Sequence, residues 1–282
     1  MSSDFVEVSL QAEVDSGELL ARLRDGETLG CWEKDGCIHM YWPESQWTPW
    51  ALADLKRALC EMGAEIAMPS LEIRQVQDQD WNATWAASLH PIRLGRRVRI
   101  RQSWHSPDAD FEGVELVIDP KRAFGTGYHA TTQLVIEWLE ARIRGGERVL
   151  DVGTGSGILA MAAIRLGAAS AMAIDNDPVA LECAREYAAV NGFGPELDLR
   201  AESVADLKPG NFDVIVANLD GKTMPLLCAT LASLMNAEGD ACLSGLQPQD
   251  YEEIGEALTR AGLRIKSRLE REDWLSLVVG PC

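Results

Sequence analysis

The sequence predicts an α/β protein: an open, mostly parallel sheet flanked by helices, preceded by a small α+β domain. Three observations predict it. From Glu147 onward, strand-like and helix-like stretches alternate to the end of the chain. Such alternation requires a mostly parallel sheet with helices on both faces. The first of those strands runs into a glycine-rich turn, Gly153-Thr154-Gly155-Ser156-Gly157, ahead of an apolar helix. The first 75 residues instead read β-α-β-β-α-β, the order of a ferredoxin-like domain.

The small domain is read as follows. Phe5 to Leu10 alternates apolar and polar residues, as a half-buried strand does. Asp15-Ser16 can open a short helix with Leu19, Leu20 and Leu23 on one face. Leu29 to Glu33 and Ile38 to Trp42 flank a turn at Asp35-Gly36. A second helix carries Leu52, Leu55, Leu59 and Met62 and stops near Gly63, and an extended stretch runs from Glu65 to about Gln75. Residues 1–75 are therefore expected to form one domain, 76–105 a connector and 106–282 a larger domain. Within the connector, Asp78 to Asp80 can cap a helix holding Trp81, Trp85 and Leu89. Its Arg97 to Arg101 stretch alternates as a strand with Val98 and Ile100 inward. The arginines there either face solvent or meet an anionic partner.

In the larger domain, strands are expected at 148–152, 171–175, 197–200, 212–217, 241–243, 263–269 and 274–279. Helices are expected from Ile158 to Leu166, Pro178 to Val190, Met224 to Met235 and Asp250 to Ala261. Only Glu270 to Asp273 separates the last two strands, too few residues for a crossover, so that pair must be antiparallel.

Composition narrows the function. The formal charge is −18, from 44 acidic and 26 Lys and Arg residues. Such a chain repels phosphate backbones and attracts basic proteins, so no direct nucleic-acid partner is expected. No apolar stretch nears the roughly 20 residues needed to cross a bilayer. The chain is expected to be cytoplasmic and monomeric, without a membrane partner. Seven scattered cysteines without a CxxC pair argue against a disulfide framework or a metal site. Cys60, Cys183 and Cys228 lie in apolar helical patterns and read as inert core thiols.

Open parallel sheets bind ligands beyond the carboxyl ends of their strands, where the strand order reverses. Gly153, Gly155 and Gly157 lie at the first such end. Asp175 ends the second strand, 22 residues after Gly153, where an acidic side chain accepts hydrogen bonds from a ribose. This combination points to a nucleoside cofactor. The turn is G-x-G-x-G rather than the dinucleotide pattern G-x-G-x-x-G, and Asp151 precedes it by two residues. A carboxylate there repels a pyrophosphate and suits the ammonium of a methionine moiety, so S-adenosyl-L-methionine fits better than NAD. The run Phe124-Gly125-Thr126-Gly127-Tyr128-His129-Ala130-Thr131-Thr132 can wall the cavity, and Asn218 ends the fourth strand beside it. His129 reads either as a base or as a loop-packing residue.

The run from Asp119 to Thr132, D-P-x-x-A-F-G-T-G-x-H-x-T-T, together with the Gly153 turn, Asp175 and Ala217-Asn218-Leu219, resembles the PrmA family, the ribosomal protein L-eleven methyltransferases. Trp81-Asn82-Ala83-Thr84-Trp85, Pro91-Ile92-Arg93 and Ser103-Trp104 resemble that family's connector, and the likeness covers about residues 78–279. It implies a seven-stranded Rossmann-like S-adenosylmethionine-dependent methyltransferase domain behind a small substrate-recognition domain. It implies cofactor contacts from Thr132, Gly153, Gly155, Asp175 and Asn218, with Phe124 and Thr126 in a covering loop. Asn218 is the implied catalytic residue, no metal is implied, and ribosomal protein L-eleven is the implied substrate. Two departures stand out. Lys121-Arg122 replaces a usual Pro-Gly, and Leu219-Asp220-Gly221 replaces a usual apolar Ile-Leu-Ala. The rival readings are a methyltransferase acting on another basic protein or a small amine, a NAD-dependent oxidoreductase, and a cofactor-holding module without catalysis.

Overall fold

The computed structural model describes residues 5–11, 14, 19, 22–23, 28, 30–34, 37–64, 71–76, 89–120, 123–210 and 212–282. The expected helix start at Asp15-Ser16, the Asp35-Gly36 turn, the Trp81–Trp85 segment and Lys121-Arg122 lie outside these residues. The chain forms two compact units, Met1–Ala87 and Ser88–Cys282.

In the first unit, β1 (Phe5–Gln11), β2 (Gly30–Lys34), β3 (Cys37–Pro43) and β4 (Leu71–Val76) make an antiparallel sheet of order β2-β3-β1-β4. This is the strand order of the expected ferredoxin-like domain. The period-2 pattern sets the buried face: Val6, Val8 and Leu10 pack with Ile38, Met40 and Trp42. Helix α1 (Pro49–Glu61) lays Leu55, Ala58 and Leu59 on that face. Thr48 caps it by accepting the Ala51 N–H at 3.2 Å, and Pro49 supplies a preset first turn. Cys60 falls on the opposite side of this helix and is exposed, whereas Cys183 and Cys228 are buried as expected.

The second unit opens with a three-stranded sheet, β5 (Ile92–Leu94), β6 (Val98–Arg101) and β7 (Val114–Val117). Val98 and Ile100 point inward, as their alternation predicts. The outward Arg99 and Arg101 both bind Glu115 of β7, and Arg93 binds Asp108, so three of these arginines are paired with carboxylates within the protein.

Next come α2 (Ala130–Arg142), β8 (Arg148–Val152), α3 (Ile158–Leu166), β9 (Ser170–Ile174), α4 (Pro178–Val190), β10 (Leu197–Arg200), β11 (Phe212–Asn218), α5 (Met224–Leu234), β12 (Met235–Leu246), α6 (Tyr251–Arg260), β13 (Leu263–Arg271) and β14 (Trp274–Pro281). The seven strands from β8 onward form one sheet of order β10-β9-β8-β11-β12-β14-β13. Strands β10 to β12 are parallel, and β14 runs antiparallel to both β12 and β13. Side-chain alternation splits the core into two layers. Val149, Val214 and Val216 pack with α2, α3 and α4. Leu150, Val152, Ile215 and Ala217 pack with α5 and α6. The chain lays β9 and β10 on one side of β8 and then returns to place β11 on the other. The reversal puts the carboxyl ends of β8 and β11 side by side.

Among the described residues, no helix is long and apolar enough to cross a membrane, and no group of His, Cys, Asp and Glu is arranged to hold a metal ion.

Candidate functional site

The site is built at that reversal. Strand β8 carries Asp151 to its end and then turns through three glycines with positive φ into α3. Gly155, at φ +55°, has its Cα against the loop before α2: a Cβ there would stand 2.6 Å from the Phe124 carbonyl oxygen. Only glycine permits that approach. The same loop is pinned by the Ser156 N–H donating to the Phe124 carbonyl (2.9 Å) and the Ser156 hydroxyl donating to the Gly125 carbonyl (2.7 Å). Tyr128 anchors its far end, accepting from Gln102 Nε2 at 3.0 Å and donating to the His90 carbonyl. Phe124 is left 56% exposed, and Thr126 is half-buried in the same loop.

Asp175 follows the last residue of β9. Its Oδ2 accepts the Gly155 N–H at 2.9 Å and its Oδ1 the Asp177 N–H at 2.9 Å. Each carboxylate oxygen keeps a free acceptor direction. The side chain therefore shapes the turn while retaining capacity for hydroxyl donors. Asp151 is fully buried. Its Oδ2 accepts from the Thr154 hydroxyl (2.6 Å) and the Ala160 N–H (3.2 Å), whereas its Oδ1 has no partner. Burial, reinforced by the charge of Asp175, pushes the Asp151 carboxyl up to about 7. Thr132 in the first turn of α2 is likewise buried with an unpartnered Oγ1.

Asn218 ends β11 and is held by a side-chain relay. His129 Nδ1 caps α2 by accepting the Thr131 N–H at 3.4 Å, and it lies 2.8 Å from Thr131 Oγ1. A nitrogen already accepting a backbone N–H takes the hydroxyl hydrogen of Thr131 as well. The Thr131 oxygen then accepts from Asn218 Nδ2 at 3.1 Å. This fixes the carboxamide with its Nδ2 toward α2 and its Oδ1 away from Thr131. Ser244 supports the relay from β12, its hydroxyl donating to the Thr131 carbonyl at 3.2 Å.

Beside Asn218, on the β12 and β14 side, lies an open cavity of ≈ 240 Å³. Phe124, His129 and Trp274 line it, each ring meeting the next edge-to-face, with ring centroids 5.4 Å and 4.8 Å apart. Asp220 and Gly245 also line it.

The structure thus gathers Phe124, Thr132, Gly153, Gly155, Asp175 and Asn218 around the loop before α2 and the ends of β8, β9 and β11. Thr131, Gly245 and Trp274 belong to the site as well; sequence reasoning placed Thr131 in the walling run without a role of its own and passed over Gly245 and Trp274. Thr131 had a signal, since it stands between His129 and Thr132. Trp274, opening the last strand, had none.

The unpartnered Asp151 Oδ1 and the spare acceptor directions of Asp175 suit a nucleoside linked to a cationic amino acid. Asp151 Oδ1 offers a carboxylate to an ammonium, and Asp175 offers acceptors to ribose hydroxyls. The described residues therefore fit S-adenosylmethionine. Nothing marks a thiol for covalent catalysis, because Cys242, the buried cysteine of β12, has its ionisation strongly suppressed by burial.

Comparison with known proteins gives a consistent picture. Residues 12–280 match the family model described as Ribosomal protein L11 methyltransferase (PrmA). A Ribosomal protein L11 methyltransferase of Pseudomonas paraeruginosa is 41% identical over 211 residues, covering 74% of this chain and 70% of the relative. One of Bacillus cytotoxicus is 33% identical over 281 residues, covering 98% of this chain and 88% of the relative. The crystal structure of the ribosomal protein L11 methylase from Lactobacillus delbrueckii subsp. bulgaricus superposes with a TM-score of 0.63 at 33% identity, over 68% of this chain and 98% of that one. The likeness extends into the first unit, where the sequence offered no recognisable motif.

Proposed function

The chain belongs to the ribosomal protein L11 methyltransferase (PrmA) family, and from that premise we propose that it methylates lysine and/or N-terminal amines of ribosomal protein L11. It is an S-adenosylmethionine-dependent methyltransferase. A ribosomal protein as substrate supports the reading that the reaction runs in the cytoplasm.

The observation that carries the amine reading is the orientation of Asn218. With Nδ2 committed to Thr131, the carboxamide oxygen is the acceptor left for an incoming N–H. Bound S-adenosylmethionine supplies a methyl group already activated on a sulfonium. The residues have three tasks. Asp151, Asp175, Thr132 and the Gly153 to Gly155 backbone would hold the donor, with Phe124 and Thr126 in the covering loop. Asn218 Oδ1 aligns the nitrogen lone pair. The apolar surroundings favour the neutral amine: a free lysine of pKa roughly 10.4 requires about 4–5 kcal/mol to lose its proton at pH 7, and desolvation lowers that cost. The bound sulfonium would supply the methyl group, while the residues of this chain would orient the nitrogen lone pair toward it and leave the amine proton a path to solvent. Positioning contributes most of the acceleration, since the leaving group needs no general acid.

Incubation with labelled S-adenosylmethionine and a bacterial lysate tests the substrate. Label in the L11 band supports the proposal; label confined to another basic protein or to small amines overturns it.

A further inference from the structure

Among the described residues, Asp220 is the one formally charged side chain lining the cavity beside Asn218. Its carboxylate is fixed by its own turn. Oδ1 accepts the N–H groups of Lys222 and Thr223, each at 2.9 Å, and Oδ2 accepts the Thr223 hydroxyl at 2.8 Å. Oδ2 keeps one acceptor direction free. The Thr223 donors hold the carboxyl below its ordinary value, so it is ionised at neutral pH. The Phe124, His129 and Trp274 rings line the same cavity as an aromatic wall. Aromatic faces attract cations, most strongly those of Trp.

Resting on the reading that the acceptor is an amine, we propose that Asp220 and the Phe124–His129–Trp274 wall form an entry site for alkylammonium heads. The site captures the acceptor while it is still protonated, before the proton is lost beside Asn218. A carboxylate stabilises the ammonium form. Asp220 therefore strengthens binding of the acceptor and does not assist its deprotonation. Its removal affects KM and leaves kcat nearly unchanged. The volume of ≈ 240 Å³ accommodates a methylated ammonium as readily as an unmethylated one.

The test uses the full-length protein and two probes of equal shape: choline, which is permanently cationic, and 3,3-dimethylbutan-1-ol, its neutral isostere. Ligand-observed NMR titration should show choline binding at least fivefold more tightly than the alcohol. Asp220→Asn should abolish that preference, and Trp274→Leu should weaken choline further. Asp220→Ser retains an acceptor for the turn and serves as a second uncharged variant should the Asn form fold poorly. Equal binding of both probes to the wild type, or a preference that survives in both Asp220 variants, would overturn the proposal. With L11 as acceptor, Asp220→Asn should raise KM three- to tenfold while kcat stays within twofold; an unchanged KM contradicts the entry site even if L11 is the substrate. Selective choline binding without any L11 methylation would instead refute the substrate assignment and leave the entry site standing.

Discussion

Asp175 and Asn218 were both legible as residues at strand ends, but the structure gives each a second duty. Asp175 ties down the Gly155 N–H of the turn it faces. Asp175→Ala should therefore lower S-adenosylmethionine affinity at least tenfold by calorimetry, losing charge-assisted hydrogen bonds worth roughly 1.5–3 kcal/mol each. Asn218 depends on Thr131, 87 residues earlier, and no local pattern reveals that pairing. Thr131→Val keeps the shape of the side chain and removes the acceptor for Nδ2. It should reduce kcat about tenfold or more, with a smaller change in thermal stability. Asp151 adds a pH signature. Its folded pKa, about 7, lies above the ordinary value of 3.8. The stability it contributes is fully present below the lower value and is lost as pH rises toward the upper one. Between about pH 4 and 7 the ligand-free wild type should thus lose melting temperature relative to Asp151→Asn. An identical pH dependence for both proteins would show that Asp151 is not buried as a protonated acid.

At the scale of elements, the sequence reading is most accurate where caps and glycines punctuate the chain. The Gly157 to Gly167 interval contains α3 as expected, because both glycines take positive φ and end the helix cleanly. Strands β5 and β7 escaped notice because they span only three and four residues, with charged residues interleaved. Strand β12 runs from Met235 to Leu246, well beyond the apolar Ala241-Cys242-Leu243 that signals it. Its first half is polar and its pairing with β11 is irregular there, so alternation fails as a guide. The end of the same strand carries Gly245 at φ +83°, where a Cβ would lie 2.4 Å from the Leu219 carbonyl oxygen and 3.0 Å from Asn218 Oδ1. Gly245→Ala should cost roughly 1–3 kcal/mol in backbone strain, measured by denaturant unfolding. It should also displace Asn218 and reduce turnover beyond the loss of folded protein. A fully active, equally stable variant would contradict the close approach.

For the whole molecule, the ferredoxin-like order of the first unit was legible from element types alone, since only a few sheet topologies accommodate β-α-β-β-α-β. The substrate-recognition role proposed for it was not legible from spacing, because recognition of a protein partner depends on surface detail that no spacing encodes. Residues 1–75 carry 14 acidic and 6 basic side chains, a net of −8. That net charge would suit a basic ribosomal protein and predicts slower methylation at higher ionic strength. Removing residues 1–87 should leave S-adenosylmethionine binding within about threefold, since every proposed contact lies beyond Phe124, while methylation of L11 should collapse. The most direct measurement of the central claim is the single-turnover rate of methyl transfer to purified L11, at saturating S-adenosylmethionine, by the wild type and by Asn218→Ala. The account predicts methylated lysine or N-terminal amines with the wild type, identified by mass spectrometry, and a rate at least a hundredfold lower with the variant. Equal rates, or no methyl group on L11 with the wild type, would contradict it.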